Sequence, residues 1–372
     1  MNILVYGVAA DSGGALSVLM DFYKEFKTHK ENHYYFVVST PRLDECDNIT
    51  ILRYPEIKKG WGQRLFFEYI KAPKLVKKYA IDEVFSTTNT VIPRVKTRQV
   101  LYLHQSLPFI PYRFSWNENR LFWLYQNIIG RLIIQSVKRA DQVIVQTQWI
   151  RDAASQICHV PVGKFVIKMP KVDTSLVMPY RAKPGNLTFF YPASPYTYKN
   201  HWLIVKACEQ LKKEGITSYQ VIFTLNGKEN AYARSLKAYV KKEQLPVRFI
   251  GQIDRKEVFE WYSHSVLLFP SYIETFGMPL LEARLSNSPI LASDTPFSRE
   301  ILQGYEKSRF YDIHDDEKLV QGMIHEVEMN NMYALNVNRG GNTLLTYWGL
   351  KAILMKVGFY PLCSYHNITI AA

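Results

Sequence analysis

Short apolar runs alternate with longer amphipathic stretches along most of this 372-residue chain. Apolar runs of four or five residues are typical of buried strands, and amphipathic stretches between them are typical of helices. Regular alternation of the two predicts βαβ units and parallel sheets. The predicted strands are Ile3–Tyr6, Tyr34–Val38, Val100–Leu103, Gln142–Val145, Thr188–Tyr191, Gln220–Thr224, Val247–Ile250, Val266–Phe269 and Pro289–Ala292.

The length of the chain and one polar break predict two domains. A chain of this size exceeds one typical core, because domains of ~150–200 residues are the common size. The best linker is VMPYRAKPGNLTF, residues 177–189, which is polar and carries two prolines and a glycine. We therefore expect an α/β domain at 1–180 and a second at 181–330, with a cleft between them. Residues 331–372 form an extension whose role the sequence does not define.

Several candidate functional residues directly follow predicted strands. Ligands of open α/β sheets bind beyond the carboxyl ends of the strands, so this is where such residues are expected. Gly13 and Gly14 follow the first strand, and His104 ends the run VLYLH. In the second half, Lys199 follows LTFFYPA and Glu274 follows VLLFPS.

Each of these residue types suits a particular chemistry and also has a plainer interpretation. A glycine pair at a helix start lets the backbone bind an anion, but it also suits an ordinary tight turn. His104 could donate to a sugar hydroxyl or steady a developing charge, or it could be structural. Lys199 could bind a diphosphate, or it could be a solvated surface lysine. The chain has no G-x-x-x-x-G-K-[ST] sequence, which excludes a P-loop.

Residues 269–289, FPSYIETFGMPLLEARLSNSP, combine a predicted helix start with two acids. Gly277 permits a tight turn and Pro279 suits the first turn of a helix, so the backbone amides there can face an anion. Glu274 precedes this start, and Glu282 lies about one turn inside the helix. Both acids would repel a phosphate, so we expect them to bind hydroxyl groups on either side of a diphosphate. A simple complement to the helix dipole would explain Glu282 but not Glu274.

The nine residues ETFGMPLLE, Glu274 to Glu282, resemble the E-x7-E signature of retaining glycosyltransferases of family 4, which have the GT-B fold. The resemblance extends from residue 1 to about 325. It predicts an α/β protein of the GT-B type, with two Rossmann-like domains facing an interdomain cleft. The supporting segments, in the expected order, are Gly13-Gly14, His104, VIVQTQWIRDAA (143–154), YPASPYTYKNH (191–201) and VRFIGQIDRKEVFEWYSHSVLLFPS (247–271).

The resemblance implies a role for each matching residue. Glu282 would hold the ribose hydroxyls of a nucleotide, Glu274 would contact the donor sugar near its reacting carbon, and Lys199 would neutralise the diphosphate leaving group. His104 would contact the sugar from the first domain, and Glu300 would lie near the donor. The implied catalytic residues are Glu274, His104 and Lys199, and the implied donor-binding residues are Gly13, Gly14, Lys199, Asn200, Thr275, Phe276, Gly277, Met278, Glu282 and Glu300.

The implied reaction is retaining transfer of a hexosyl group from a nucleoside diphosphate sugar, with no cofactor and no obligatory metal. The sequence contains no D-x-D triplet, which agrees with a metal-independent reaction. Two features depart from the family pattern. Many members have a Gly-Arg pair where this chain has Pro192-Ala193-Ser194, and residues 330–372 do not resemble the usual crossing-back helix.

The positive charge of the chain is concentrated in residues 51–151, which hold 17 Lys and Arg against 6 Asp and Glu. Within this block, 61–79 and 116–139 mix aromatic, aliphatic and basic residues at near-helical spacing. One interpretation is that these helices rest on an anionic membrane surface. The alternative is that their apolar faces belong to the core and their charged residues are solvated. A membrane contact would favour a lipid-linked saccharide as acceptor, as in O-antigen, capsule or exopolysaccharide synthesis.

Other functions and the cellular location are also constrained by the sequence. A nucleotide-sugar epimerase of the same fold is an alternative, and a basic nucleic-acid-binding protein is another, although no nucleic-acid-binding motif supports it. The four cysteines are widely spaced and are expected to be reduced. No uncharged apolar run reaches 18 residues, so we expect a cytoplasmic protein with peripheral contact to the inner membrane as one option.

Overall fold

The structure is a computed structural model that describes residues 1–11, 13–313 and 315–338. These residues divide into two compact units. Two short segments of the second half of the chain cluster with the first unit. The first unit comprises Met1–Val172, Ile273–Met278 and Arg299–Ile301, and the second comprises Asp173–Tyr272, Pro279–Ser298 and the described residues from Leu302 to Asn338.

The first unit contains a seven-stranded sheet in which all neighbouring strands are parallel. Its strands are β1 (Asn2–Tyr6), β2 (His33–Val38), β3 (Ile49–Arg53), β4 (Glu83–Ser86), β5 (Arg98–Tyr102), β6 (Gln142–Val145) and β7 (Phe165–Ile167). They pair in the order β3-β2-β1-β4-β5-β6-β7. The chain therefore reverses its direction across the sheet between β1 and β4, which is the point where open α/β sheets bind ligands.

The second unit contains a six-stranded parallel sheet built on the same plan. Its strands are β8 (Leu187–Tyr191), β9 (Tyr219–Phe223), β10 (Val247–Phe249), β11 (Val266–Phe269), β12 (Ile290–Ser293) and β13 (Ser308–Tyr311). They pair in the order β10-β9-β8-β11-β12-β13, with the reversal between β8 and β11. Each unit is thus a Rossmann-like α/β domain, and the predicted fold class is confirmed.

Helices connect most of the successive strands in both units, and the last of the described helices, α12, follows β13. The longest, α12, ends at Asn338, so residues 331–338 of the predicted extension are helical and 339–372 lie outside the described residues. Within the part that is described, no helix has the length and apolar character needed to cross a membrane. The helices are α1 (Gly13–Phe26), α2 (Trp61–Phe66), α3 (Ala72–Lys78), α4 (Arg120–Leu124), α5 (Gly130–Arg139), α6 (Gln148–Cys158), α7 (His201–Lys213), α8 (Ala231–Lys242), α9 (Arg255–Tyr262), α10 (Met278–Leu285), α11 (Pro296–Ile301) and α12 (Asp316–Asn338).

Two helical connections of the first unit are interrupted by π-helical turns. Residues Phe67–Lys71 link α2 to α3, and Tyr125–Ile129 link α4 to α5. Gly130 lies at the second junction, where an added Cβ would come 2.8 Å from the carbonyl oxygen of Tyr125. That separation is shorter than any normal contact, so glycine permits the tight backbone there.

The two faces of the first sheet are covered by different helices. Helix α1 packs on one face, where Leu19 and Phe22 meet Val5 and Phe36. Helix α3 packs on the opposite face, since Leu75 and Val76 cluster with residues at alternate strand positions such as Leu4. This alternation follows from the two-residue repeat of a strand, whose successive side chains point to opposite faces.

Candidate active site

Lys199 and Glu274 follow the two strands that flank the reversal point of the second sheet. Lys199 ends the 3-10 helix Thr197–Lys199, which follows β8, and Glu274 lies five residues after β11. Both side chains are half-buried. Strands β8 and β11 are paired neighbours, so their carboxyl ends lie side by side. The loops that carry Lys199 and Glu274 therefore start from neighbouring strand ends.

The Tyr198 carbonyl joins the loops that carry these two residues. It accepts hydrogen bonds from the backbone N–H of Tyr272 at 3.1 Å and from Ser271 Oγ at 3.4 Å. The Tyr191 hydroxyl at the end of β8 donates to the Lys199 carbonyl at 2.8 Å. These contacts fix the backbone on both sides of the reversal point, and they are not predictable from residue type or spacing.

The start of α10 has the backbone expected for a tight turn before a helix. Gly277 has a φ of 90°, a value that favours glycine over residues with a side chain. Met278 is the first helical residue and Pro279 the second, where its missing N–H costs nothing. Phe276 is buried and anchors the loop, whereas Thr275 is partly exposed. The predicted helix start is confirmed, with Glu282 about one turn inside it.

Glu282 is a buried carboxylate with a protein partner on each oxygen. It is 1 % exposed, its Oε1 accepts from Arg255 Nη2 at 2.7 Å, and its Oε2 accepts from the Tyr262 hydroxyl at 3.1 Å. Burial and the Glu282 charge raise the pKa of Tyr262 far above its usual range, so the phenol stays a donor. Each oxygen retains acceptor capacity for one further donor, since a carboxylate offers about four lone-pair positions.

Arg255 and Tyr262 are not identified by the sequence as site residues, because both meet Glu282 only in the folded chain. Arg255 is the first residue of α9, which begins at a capping box formed by Asp254 and Glu257. Burial opposes the charge of Arg255, but the Glu282 carboxylate raises its pKa, so the guanidinium is always charged. The D-x-x-E spacing at 254–257 could have located this helix start, but not its contact with Glu282.

His104 is held by the loop that follows β4. Its ring Nε2 lies 3.0 Å from the Thr87 carbonyl, and its backbone N–H donates to Asn89 Oδ1 at 2.7 Å. A carbonyl can only accept, so Nε2 carries the proton of this hydrogen bond. Burial lowers the pKa of His104, which leaves a neutral ring at neutral pH. Its Nδ1 is then an acceptor. A ligand hydroxyl group can therefore donate to Nδ1, whereas the sequence predicts that His104 donates to the hydroxyl.

Gly13 and Gly14 begin α1 and leave open space around them. A Cβ added at either position would meet no heavy atom within 4 Å, and Gly13 has a φ of 58°. Both residues follow β1, one of the two strands that flank the reversal point of the first sheet. Their position agrees with a backbone surface that a ligand can approach.

Asn200 and Glu300 each have a structural function in addition to the one predicted. Asn200 adopts a left-handed conformation with a φ of 54° and forms the junction between the 3-10 helix and α7. Glu300 accepts from the backbone N–H groups of Gln148 at 2.7 Å and Trp149 at 3.0 Å. These are the first residues of α6, whose own N-cap side chain makes no capping bond. Glu300 therefore caps α6, and any contact with a donor would be additional.

The site residues contain no cluster suited to a metal ion. Among the described residues, no group of three or more His, Cys, Asp or Glu side chains has such an arrangement. The chemistry of the strand ends instead combines one ammonium group, carboxylates and backbone amides. Such a set can bind a negatively charged diphosphate and hydroxyl groups close together.

Comparison with known protein sequences shows similarity to glycosyltransferases. Residues 179–339 match the family model described as glycosyl transferases group 1. The chain is also 27 % identical over 266 residues to the O-antigen chain mannosyltransferase RfbU of Salmonella typhimurium, covering 70 % of this chain and 69 % of that protein.

Solved structures of glycosyltransferases share the fold. Sucrose-phosphate synthase from Thermosynechococcus elongatus matches with a TM-score of 0.65 and 16 % identity, covering 96 % of this chain and 99 % of the other. Anabaena Alr3699/HepE in complex with UDP-glucose matches with a TM-score of 0.63 and 15 % identity, covering 96 % and 100 %. The two Rossmann-like domains therefore have the GT-B fold.

Proposed function

We propose that this chain, which is a glycosyltransferase with a group 1 domain at residues 179–339, transfers a hexosyl group from a nucleoside diphosphate sugar with retention of configuration. The acceptor is a glycan or a lipid-linked saccharide in the synthesis of O-antigen, capsule or exopolysaccharide. The similarity to an O-antigen chain mannosyltransferase supports this acceptor class. The fold shared with a protein solved with UDP-glucose supports the donor class.

The observation that carries the proposal is the placement of Lys199 and Glu274 after the paired strands β8 and β11. Cleavage of the bond between the sugar and the diphosphate leaves negative charge on the departing phosphate oxygen. An ammonium group held at a strand end stabilises that charge as it develops. We assign this function to Lys199, with the backbone amides at Gly277 and Met278 as further donors.

Glu282 suits the ribose of the donor. Two vicinal hydroxyl groups can donate to a carboxylate, and the buried Glu282 carboxylate has acceptor capacity left on both oxygens. Its burial makes an unfilled hydrogen-bonding position costly, which favours a ligand with hydroxyl groups. Glu274, before the helix start, faces the sugar in this proposal, and no metal ion takes part.

The direct test is a panel of UDP-, GDP- and dTDP-hexoses, each incubated with the protein and a membrane extract as the source of acceptor. We expect label transfer from one nucleotide class, and NMR of the product is expected to show the anomeric configuration of the donor. Inversion at the anomeric carbon would contradict the retaining assignment. Isomerisation of the donor without any acceptor would instead show an epimerase of the same fold, and no turnover of any donor would contradict both.

A further inference from the structure

The first unit exposes a set of large apolar side chains on two segments, each made of helices and the loop before them. Trp61 is 58 % exposed and Trp116 is 48 % exposed, although tryptophan is usually well buried. These side chains do not belong to the core. The alternative that the apolar faces of these segments are buried in the core therefore does not apply to them. The exposed members are Trp61, Leu65, Phe66, Tyr69 and Ile70 in the first segment, and Tyr112, Trp116, Leu121, Ile128 and Leu132 in the second.

Both segments cover the same face of the seven-stranded sheet. Val84 of β4 packs in the cluster beneath α3, and its register partner on β5 is Gln99. Leu101, two residues further along β5, therefore points to the same face as Val84. Leu101 packs in the cluster that contains Ile133 of α5. The helices of the two segments thus belong to one layer, and Tyr112 and Trp116 lie in the loop before α4. We call these exposed apolar side chains, together with the basic residues beside them, the aromatic–basic surface.

Basic side chains surround the exposed rings. Arg64 lies 6.0 Å from the ring centre of Trp61, Arg94 lies 5.7 Å from that of Tyr69, and Arg120 lies 5.5 Å from that of Trp116. These distances are within the range of cation–π contacts, which hold a positive charge beside an aromatic ring. Further exposed basic residues on the same helices and the loops before them are Lys58, Lys59, Lys74, Lys77, Lys78, Arg113, Arg131, Lys138 and Arg139.

We propose that the aromatic–basic surface docks the protein on an anionic lipid bilayer. Tryptophan and tyrosine rings fit the boundary between head groups and acyl chains, and Lys and Arg attract anionic head groups. The interleaving of both residue types on one layer matches that boundary. A second copy of the chain is the poorer partner, because a symmetric dimer through this surface would bring two strongly positive patches together.

Docking would bring the side of the first sheet at which the strands end, where His104 lies, close to the membrane. Helix α2 begins after β3 ends, and α4 begins after β5 ends, so both segments start on the side of the sheet where strands end. His104 follows β5 on that same side. A lipid-linked saccharide would then reach this side of the sheet while its lipid anchor stays in the bilayer. The docking itself does not depend on the proposed transfer reaction.

Co-sedimentation of the full chain with lipid vesicles tests the proposal. We expect binding to vesicles of phosphatidylglycerol and phosphatidylcholine, weaker binding to phosphatidylcholine alone, and loss of binding at high salt. The combined change Trp61→Gln, Leu65→Gln, Trp116→Gln, Leu121→Gln should lower the apparent affinity at least tenfold. The change Lys74→Gln, Lys77→Gln, Lys78→Gln should lower it roughly a hundredfold at low salt, since each basic residue contributes roughly fivefold.

Matched changes elsewhere serve as controls. Val162→Gln with Val166→Gln alters exposed apolar residues outside the surface, and Lys237→Gln, Lys241→Gln, Lys242→Gln removes three charges from α8. Both controls should bind vesicles as the wild type does. Equal binding by wild type and the apolar variant would overturn the proposal. A second outcome would also overturn it: the wild type is a dimer in sedimentation velocity, the apolar variant is a monomer, and neither protein binds vesicles.

Discussion

Arg255 Nη2 donates to Glu282 Oε1 at 2.7 Å, joining a half-exposed guanidinium to a carboxylate that is only 1 % exposed. The arrangement keeps a charged acid inside the second unit, where an unpaired carboxylate would be strongly disfavoured. It also fixes the direction of the remaining lone pairs of Glu282. Arg255 is therefore expected to position Glu282 for the ribose of the donor.

Substitution of Arg255 should weaken nucleotide binding through Glu282. We expect Arg255→Ala to raise the Kd for the cognate nucleoside diphosphate about tenfold. Arg255→Lys should raise it less, because lysine keeps the positive charge but lacks the planar guanidinium group. Calorimetry with the nucleotide and with its 2′-deoxy analogue separates the cause. The penalty for removing the hydroxyl should be smaller in Arg255→Ala than in wild type. Arg248→Ala changes an exposed arginine on β10 and is the control. The prediction is contradicted if loss of the 2′-hydroxyl weakens binding equally in the wild type, Arg255→Ala and Arg248→Ala.

Substitution of Lys199 should affect turnover more than donor binding. Lys199→Gln removes the ammonium group to which we assign stabilisation of the leaving diphosphate, while keeping a side chain of similar length. We expect kcat to fall about 10²–10³-fold, the range seen when one transition-state donor is removed, with a smaller change in KM. Steady-state kinetics with the cognate donor measure this. Lys206→Gln on α7 provides the comparison, and a change confined to KM would contradict the leaving-group role.

Stability in acid should depend on His201. This residue is fully buried against Tyr191 and Phe223, and burial together with the charge of Lys199 lowers its pKa to about 3. The unfolded chain takes up the proton near pH 6.5, so stability is complete above that pH and is lost as the pH falls towards 3. The expected loss from this group is about 1.4 kcal/mol per pH unit, or roughly 2 kcal/mol at pH 5.

Urea unfolding at pH 7 and pH 5 measures this dependence. His201→Phe keeps an aromatic ring in the same packing and removes the titrating group, so its stability should fall less between the two pH values. The exposed His159→Gln should behave as the wild type. Identical pH dependence in the wild type and His201→Phe would contradict the prediction.

Removal of the Glu300 carboxylate should loosen the start of α6. Glu300→Ala leaves the N–H groups of Gln148 and Trp149 without their acceptor, which should cost about 1–2 kcal/mol, as for other lost N-caps. Hydrogen exchange of these two amides should accelerate, while exchange in the middle of α6 should change less. Glu306→Gln, an exposed acid beyond α11, is the control. Unchanged exchange at Gln148 and Trp149 would contradict the capping role.

The sequence predicted those parts of the molecule that depend on neighbouring residues. Nine strands and the start of α10 followed from apolar runs and from Gly277 and Pro279. Strands β3, β4 and β13 each include a charged residue and β7 has only three residues, so each offers only a short apolar run and none was predicted. Periodicity in such short runs is too weak to distinguish a strand from a loop.

The contacts that define the candidate site were beyond reach because they join distant parts of the chain. Arg255 lies 27 residues before Glu282, and Glu300 lies 152 residues after the amide that it caps. Residue type indicated that Glu282 and His104 could bind a ligand. Only the folded structure shows that Tyr262 holds one oxygen of Glu282 and that Thr87 determines which nitrogen of His104 is the acceptor.

We propose that Glu274 and Glu282 act on opposite parts of one donor, and the donor affinity and transfer rate of the two single variants distinguish their roles. Transfer of labelled hexose and calorimetric Kd for the cognate donor are measured for Glu274→Gln, Glu282→Gln and the exposed control Glu260→Gln. We expect Glu282→Gln to bind the donor at least tenfold more weakly, and Glu274→Gln to bind it normally but transfer about 10²-fold more slowly or worse. Wild-type binding and transfer in both variants would contradict the assignment of the site.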